Sequence, residues 1–162
     1  MKNILRYLGL VLVSVFFFVG CNSNTAEEED SFLQYDETYI GDASAVGDII
    51  RNLPMHENFD EMELETKEEP YGMTIKYGDI VKDTKESVLY NATFLLTLIS
   101  NANWITFEFP NQSYTVSKAK LQDWYGEVLG DYTDEEDLIN RIEENLEHKE
   151  LLLSYYILIC SS

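Results

Sequence analysis

The chain has 162 residues, enough for one domain built around a single core. Its formal net charge is −19, and because the first twenty residues hold Lys2 and Arg6 and no acid, the remainder carries nine basic residues against 30 acidic ones, a net −21. Such a surface repels nucleic acid and anionic lipid head groups, which excludes nucleic acid as a partner and suits a soluble domain or a partner with a basic patch.

Met1 to Arg6 is a short basic segment, and Leu8 to Val19 is an apolar run. That run has the size of a secretory signal core and is too short to span a bilayer comfortably. It ends Phe18-Val19-Gly20-Cys21. Small residues before a cysteine resemble the lipobox of bacterial lipoproteins, with Phe18 standing where Leu is usual. The resemblance implies that 1–20 is a signal peptide and that Cys21 becomes a palmitoylated, diacylglycerol-bearing mature N-terminus. A two-chain anchor is what stable membrane attachment needs. The domain is then expected on the extracytoplasmic face of the cell membrane. Residues 21–38 are polar and acidic, with Glu27-Glu28-Glu29-Asp30, and read as a flexible tether. Two cysteines make no disulfide framework, and Cys160, in a greasy C-terminal run, reads as an inert buried thiol.

The folded domain is expected over 39–162, with Leu33 to Ile40 a short strand or an ordered lead-in. Gly41 ends that segment, and Asp42 or Ser44 can cap a helix. Val46, Ile49, Ile50 and Leu53 recur at helical spacing, and Pro54 ends the run. Met62, Leu64 and Thr66 then alternate with Glu61, Glu63 and Glu65, while Tyr71, Met73, Ile75 and Tyr77 alternate with Gly72, Thr74 and Lys76. Two such runs predict antiparallel strands joined at Lys67–Pro70, where proline suits a turn. Val88, Leu89, Ala92, Leu95, Leu96 and Ile99 predict a strongly apolar second helix packed across the sheet. A second hairpin follows: Ile105, Phe107 and Phe109 on one strand, Tyr114 and Val116 on the other. Ser117 caps a third helix with Leu121, Trp124, Tyr125 and Val128 inward and Gly130 at its end. Thr133-Asp134-Glu135-Glu136 reads as a capping box for a fourth helix carrying Leu138, Ile142 and Leu146. Leu151 to Ile159 is a helix end or a final buried strand. The sum is a two-layer α+β fold: an antiparallel sheet of two β-hairpins packed with about four helices. The helix–strand–strand unit occurs twice, Ser44–Tyr77 and Ser87–Val116, which raises an internal duplication.

The stretches Tyr39-Ile40-Gly41-Asp42-Ala43-Ser44-Ala45-Val46, Leu53-Pro54 and Leu64-Glu65-Thr66-Lys67-Glu68-Glu69-Pro70-Tyr71-Gly72-Met73 resemble the pattern of the bacterial DUF4825 domain family. Asn91-Ala92-Thr93 with Leu95, Leu96, Ile99 and Asn101, then Ile105 and Phe107, extend the resemblance over roughly Tyr39 to Tyr125. Met73 stands where Leu is usual. The family's function is unknown, so the resemblance implies fold and an envelope lipoprotein context rather than an activity.

The search for chemistry yields little. His56-Glu57-Asn58-Phe59-Asp60 begins like a zinc-protease motif but has Asp60 in place of the second His and sits in a predicted loop. Asp131, Asp134 and Asp137 lack the spacing of a calcium loop, and Asp134 with Glu135 and Glu136 suits a helix N-terminus instead. His148 reads as a solvated surface residue. No catalytic residue, cofactor or metal site is assigned. Trp104 falls on the strand face opposite Ile105, Phe107 and Phe109. Either a helix covers it, as the usual placement of aromatics favours, or it is an exposed anchor for a partner. Glu69, Pro70, Tyr71, Gly72 and Trp104 are therefore the candidate partner-binding residues. The expected function is a membrane-anchored binding or regulatory module with an envelope protein partner. The alternatives are a small-ligand sensor with a pocket between sheet and helices, and a carboxylate- or metal-dependent envelope hydrolase.

Overall fold

A computed structural model describes residues 32–79, 84–130, 132 and 134–147. The expected signal peptide, Cys21, the first part of the expected tether, Asp131, Thr133, His148, Leu151–Ile159 and Cys160 lie outside the described residues. Among the described residues four helices and four strands follow in the order α1 (Ala43–Asn52), β1 (Phe59–Glu65), β2 (Gly72–Tyr77), α2 (Thr84–Leu98), β3 (Trp104–Phe109), β4 (Gln112–Ser117), α3 (Lys118–Tyr125) and α4 (Glu135–Glu147). The α+β reading holds, with both hairpins where the alternation places them.

The strands form one sheet in the order β1-β2-β3-β4. The outer pairs are antiparallel, but the central pair, β2 with β3, is parallel. This corrects the expectation of a wholly antiparallel sheet, and the reason is the helix between the hairpins. Fifteen residues of α2 span about 22 Å, close to the length of a six-residue strand, about 20 Å. The helix carries the chain from the Tyr77 end of the sheet back to the Gly72 end, and β3 then starts beside β2 in the same direction. A parallel pair requires such a crossover. The same geometry counts against duplication. Mapping β1–β2 onto β3–β4 reverses strand direction while keeping their order, which needs a half-turn that exchanges the faces of the sheet. Yet α1 and α2 pack together into one core on one face.

That core gathers the inner sheet residues Met73, Ile75, Tyr77, Ile105, Phe107, Phe109, Tyr114 and Val116 against Val46, Ile49 and Ile50 of α1 and Leu89, Ala92, Leu95 and Leu96 of α2. Helix α2 is buried over nearly its whole circumference. A helix apolar all round is a core helix. Two of its buried polar residues, Asn91 and Thr93, are tied to neighbours. Asn91 Nδ2 donates to Pro54 O at 2.7 Å. Thr93 Oγ1 donates to Leu89 O at 2.8 Å, so the Tyr125 hydroxyl, 3.0 Å away, donates to Thr93.

The local signals resolve as follows. Asp42, not Ser44, caps α1, accepting from the Ala45 N–H at 3.1 Å. His56–Asn58 is a short 3-10 turn, and the His56 ring bonds the Leu53 carbonyl at 3.1 Å. Residues 32–38, at the end of the expected tether, begin with a 3-10 turn at Phe32–Tyr35. The Phe32 ring lies 4.7 Å from that of Phe94 on α2, and Thr38 bridges Ile99. Helix α3 is shorter than predicted. Gly126, at φ +74°, closes it, a conformation glycine adopts without steric cost, and Val128 is exposed rather than inward. At α4 the cap is Asp134, accepting from Glu136 N–H at 2.8 Å, while the Glu135 carboxylate accepts from the Phe32 N–H.

Candidate binding surface

The pairing register arranges the outer face of the sheet in three rows. Glu65, Gly72, Trp104 and Ser117 form the first; Glu63, Thr74, Thr106 and Thr115 the second; Glu61, Lys76, Glu108 and Ser113 the third. Successive side chains of a strand point to opposite faces, so these residues share the side away from the helices. Residues of all three rows are exposed or half-buried except Gly72. Thr106 and Thr115 bond each other across β3 and β4 at 2.9 Å. Lys76 is held by Glu61 at 2.7 Å and Glu63 at 2.5 Å, and these hydrogen bonds raise its pKa, keeping the ammonium charged.

Trp104 is the one large apolar side chain in these rows, and it lies flat across its neighbour. A methyl group placed on Gly72 would sit 2.1 Å from Cε2 and 2.2 Å from Cδ2 of the indole, far inside any real contact. The absence of a side chain at 72 is thus what lets the ring rest on the β2 backbone. Its Nε1–H donates to the Pro70 carbonyl at 3.0 Å, fixing the ring's direction. The Glu69–Pro70 peptide is cis. The end of the sheet is closed by Asn103 N–H donating to Tyr71 O at 2.8 Å and by Ile40 N–H donating to Asn101 Oδ1 at 2.8 Å. Tyr71 is half-buried against the core, whereas Glu69 and Pro70 are exposed. Neither sequence reading of Trp104 was complete. Among the described elements the helices pack on the opposite face, and the ring is half-buried by a glycine strand instead.

The structure therefore brings Glu69, Pro70, Gly72 and Trp104 to one patch, with Tyr71 anchoring it from the core side. Sequence reasoning missed Tyr39, which is 64% exposed and sits just before the Ile40–Asn101 bond that closes this end of the sheet. Three of the stretches quoted for the family pattern, around Tyr39, Pro70 and Asn101, meet there. The acidic residues do not converge in the same way. Glu127 has its pKa lowered by a hydrogen bond from the Tyr132 hydroxyl and, secondarily, by Arg141, 2.9 Å away. That carboxylate is held ionised, which suits a structural clasp between the α3–α4 connection and α4 rather than a general acid. Among the described residues no group of three or more His, Cys, Asp or Glu side chains is placed to hold a metal.

Gly72→Ala is expected to lift the indole from β2, break its bond to Pro70 and cost about 1–2 kcal/mol. In a Trp124→Phe background, urea unfolding reads the stability and the emission maximum reads the ring. An unchanged maximum would show that the indole does not depend on Gly72.

Fold and patch together define a small α+β domain with one packed and one open sheet face. A family model described as a domain of unknown function, DUF4825, matches residues 32–120, more than half of the chain. The chain belongs to the DUF4825 family. No curated protein and no solved structure matches it. The matched span runs from the Phe32 turn into α3 and contains the whole sheet and the Trp104 patch; the Glu127–Arg141 clasp lies beyond it.

Proposed function

We propose that the chain is an extracytoplasmic lipoprotein, anchored through Cys21, whose domain acts as a binding or regulatory module for an envelope protein. The observation that carries this reading is the patch at the end of the open sheet face. Trp104 from one hairpin and Pro70 and Gly72 from the other are held in a fixed arrangement that presents an aromatic surface to solvent. An aromatic side chain fixed before binding loses little entropy on docking, which is why such residues dominate interface energetics. The anchor rests on the apolar run ending Val19-Gly20-Cys21 and on the net charge of −21 that follows it. Anchored through Cys21, the acidic domain would stand off the membrane, with the patch available to a neighbour.

The test is photo-crosslinking in cells from a bait carrying the reactive group at Pro70, with a control bait at Glu144 on the exposed face of α4. The expected result is a protein captured by the first bait alone and lost on Trp104→Ala. Cys21→Ser should remove the acyl mass and release the chain from the membrane fraction. The same products from both baits would overturn the binding reading.

A further inference from the structure

The geometry of the patch also specifies what it can hold. Two of the usual ways an indole engages a partner are already used. Its N–H is committed to the Pro70 carbonyl, and one ring face rests on Gly72. What remains is the outer ring face, whose quadrupole is negative and attracts a cation. The charges nearest to it are mainly acidic; the cations at this end are Lys67, in the same exposed turn, and the half-buried Lys118, whose Nζ donates to the Ser100 carbonyl. Glu65 stands opposite Gly72 in the first row, about 10 Å from the Trp104 backbone by two strand spacings, with the ring lying between them. Glu68 and Glu69 occupy the exposed turn beside Pro70. The cation of the outer rows, Lys76, is shared between Glu63 and Glu61, one and two rows further along β1, so it does not neutralise Glu65.

We propose that this patch receives a lysine or arginine side chain from a basic segment of the protein partner, stacked on the outer face of Trp104 beside Glu65 and the turn glutamates. The inference rests on the reading that the patch binds a protein, and it adds the chemistry of that protein. Charge complementarity selects the occupant. A second copy of this acidic chain, an anionic polymer or a nucleic acid would bring negative charge against negative charge. A guanidinium or ammonium satisfies the ring and the carboxylates together, as cation–π contact and ion pairing favour the same position.

The test uses the full chain in nonionic detergent, labelled with 5-fluorotryptophan, so that Trp104 and Trp124 each give a fluorine resonance. Trp124→Phe assigns the pair. The probe is a twelve-residue peptide of alternating arginine and serine, and its control has citrulline for arginine. The expected result is a saturable shift of the Trp104 resonance with the arginine peptide, none at Trp124 and none with citrulline. Glu65→Gln should weaken the binding about threefold, the effect of one exposed ion pair. A silent Trp104 resonance at millimolar peptide, an equal response to citrulline, or an unchanged affinity in Glu65→Gln would each overturn the proposal. If the peptide fails while the Pro70 bait still captures a Trp104-dependent partner, the binding reading stands and the cationic one falls. If both fail, both fall.

Discussion

Phe107→Ala should lower the unfolding free energy by about 3–5 kcal/mol, the range for removing a fully buried aromatic side chain. Phe107 has no exposed surface, sits on the central strand β3 and stacks on Tyr77 with ring centres 6.4 Å apart. The alanine would leave a void between sheet and helices that the parallel β2–β3 pairing cannot close, because both strands are fixed by ladders on either side. Glu108, the next residue, points to the open face and is exposed. Glu108→Ala should therefore change stability by less than about 0.5 kcal/mol. Urea midpoints at constant slope measure both. Equal effects at 107 and 108 would contradict the division of the sheet into a packed and an open face.

Alkaline pH should destabilise the domain steeply. Tyr77 and Tyr125 are each 4% exposed, and burial pushes their phenols from 10.0 up to about 12. The sign follows from proton counting. Between 10 and 12 the unfolded chain has released these protons while the folded chain still holds them, so raising the pH favours unfolding. The contribution is fully present below 10 and disappears through about 12, at a rate of about 1.4 kcal/mol per tyrosine per pH unit. Burial raises Tyr90 as well, in the same sense. Lys118, whose pKa burial lowers, acts in the opposite sense below 10.5. Denaturant midpoints followed from neutral pH into this window should fall, and Tyr77→Phe and Tyr125→Phe should each flatten the fall. A midpoint that stayed level there would show that the phenols titrate equally in both states.

Most elements were legible because their signals are local. Alternation around Met62–Leu64 and Met73–Tyr77 marks a hairpin whatever surrounds it. The helical spacing of Val46, Ile49, Ile50 and Leu53 marks α1, and Asp42 marks its start. The misreadings arose where the outcome depends on what lies elsewhere. The direction of β3 relative to β2 is set by the return path of α2, which no single strand encodes. The end of α3 turned on two glycines, Gly126 and Gly130, both at positive φ, and only the packing of Leu129 and exposure of Val128 select the first. The candidate residues at 69–72 and 104 were singled out separately, one group for turn chemistry and one for its strand face. Their meeting follows from the register of a parallel pair joining residues 32 apart, Gly72 with Trp104. The one clue in the sequence was a glycine at a strand position where a large aromatic needed room.

The Trp104 patch straddles the seam between the two hairpins, with its ring donated by β3 and its bed and hydrogen-bond acceptor by β2 and the turn before it. Each hairpin can form from nearby residues, but the seam closes only when α2 has docked and brought β3 alongside. A chain still being synthesised, or one whose halves have separated, holds every residue of the patch and none of its geometry. Recognition through this surface would therefore act as a proofreading step, admitting finished molecules and ignoring partly assembled ones.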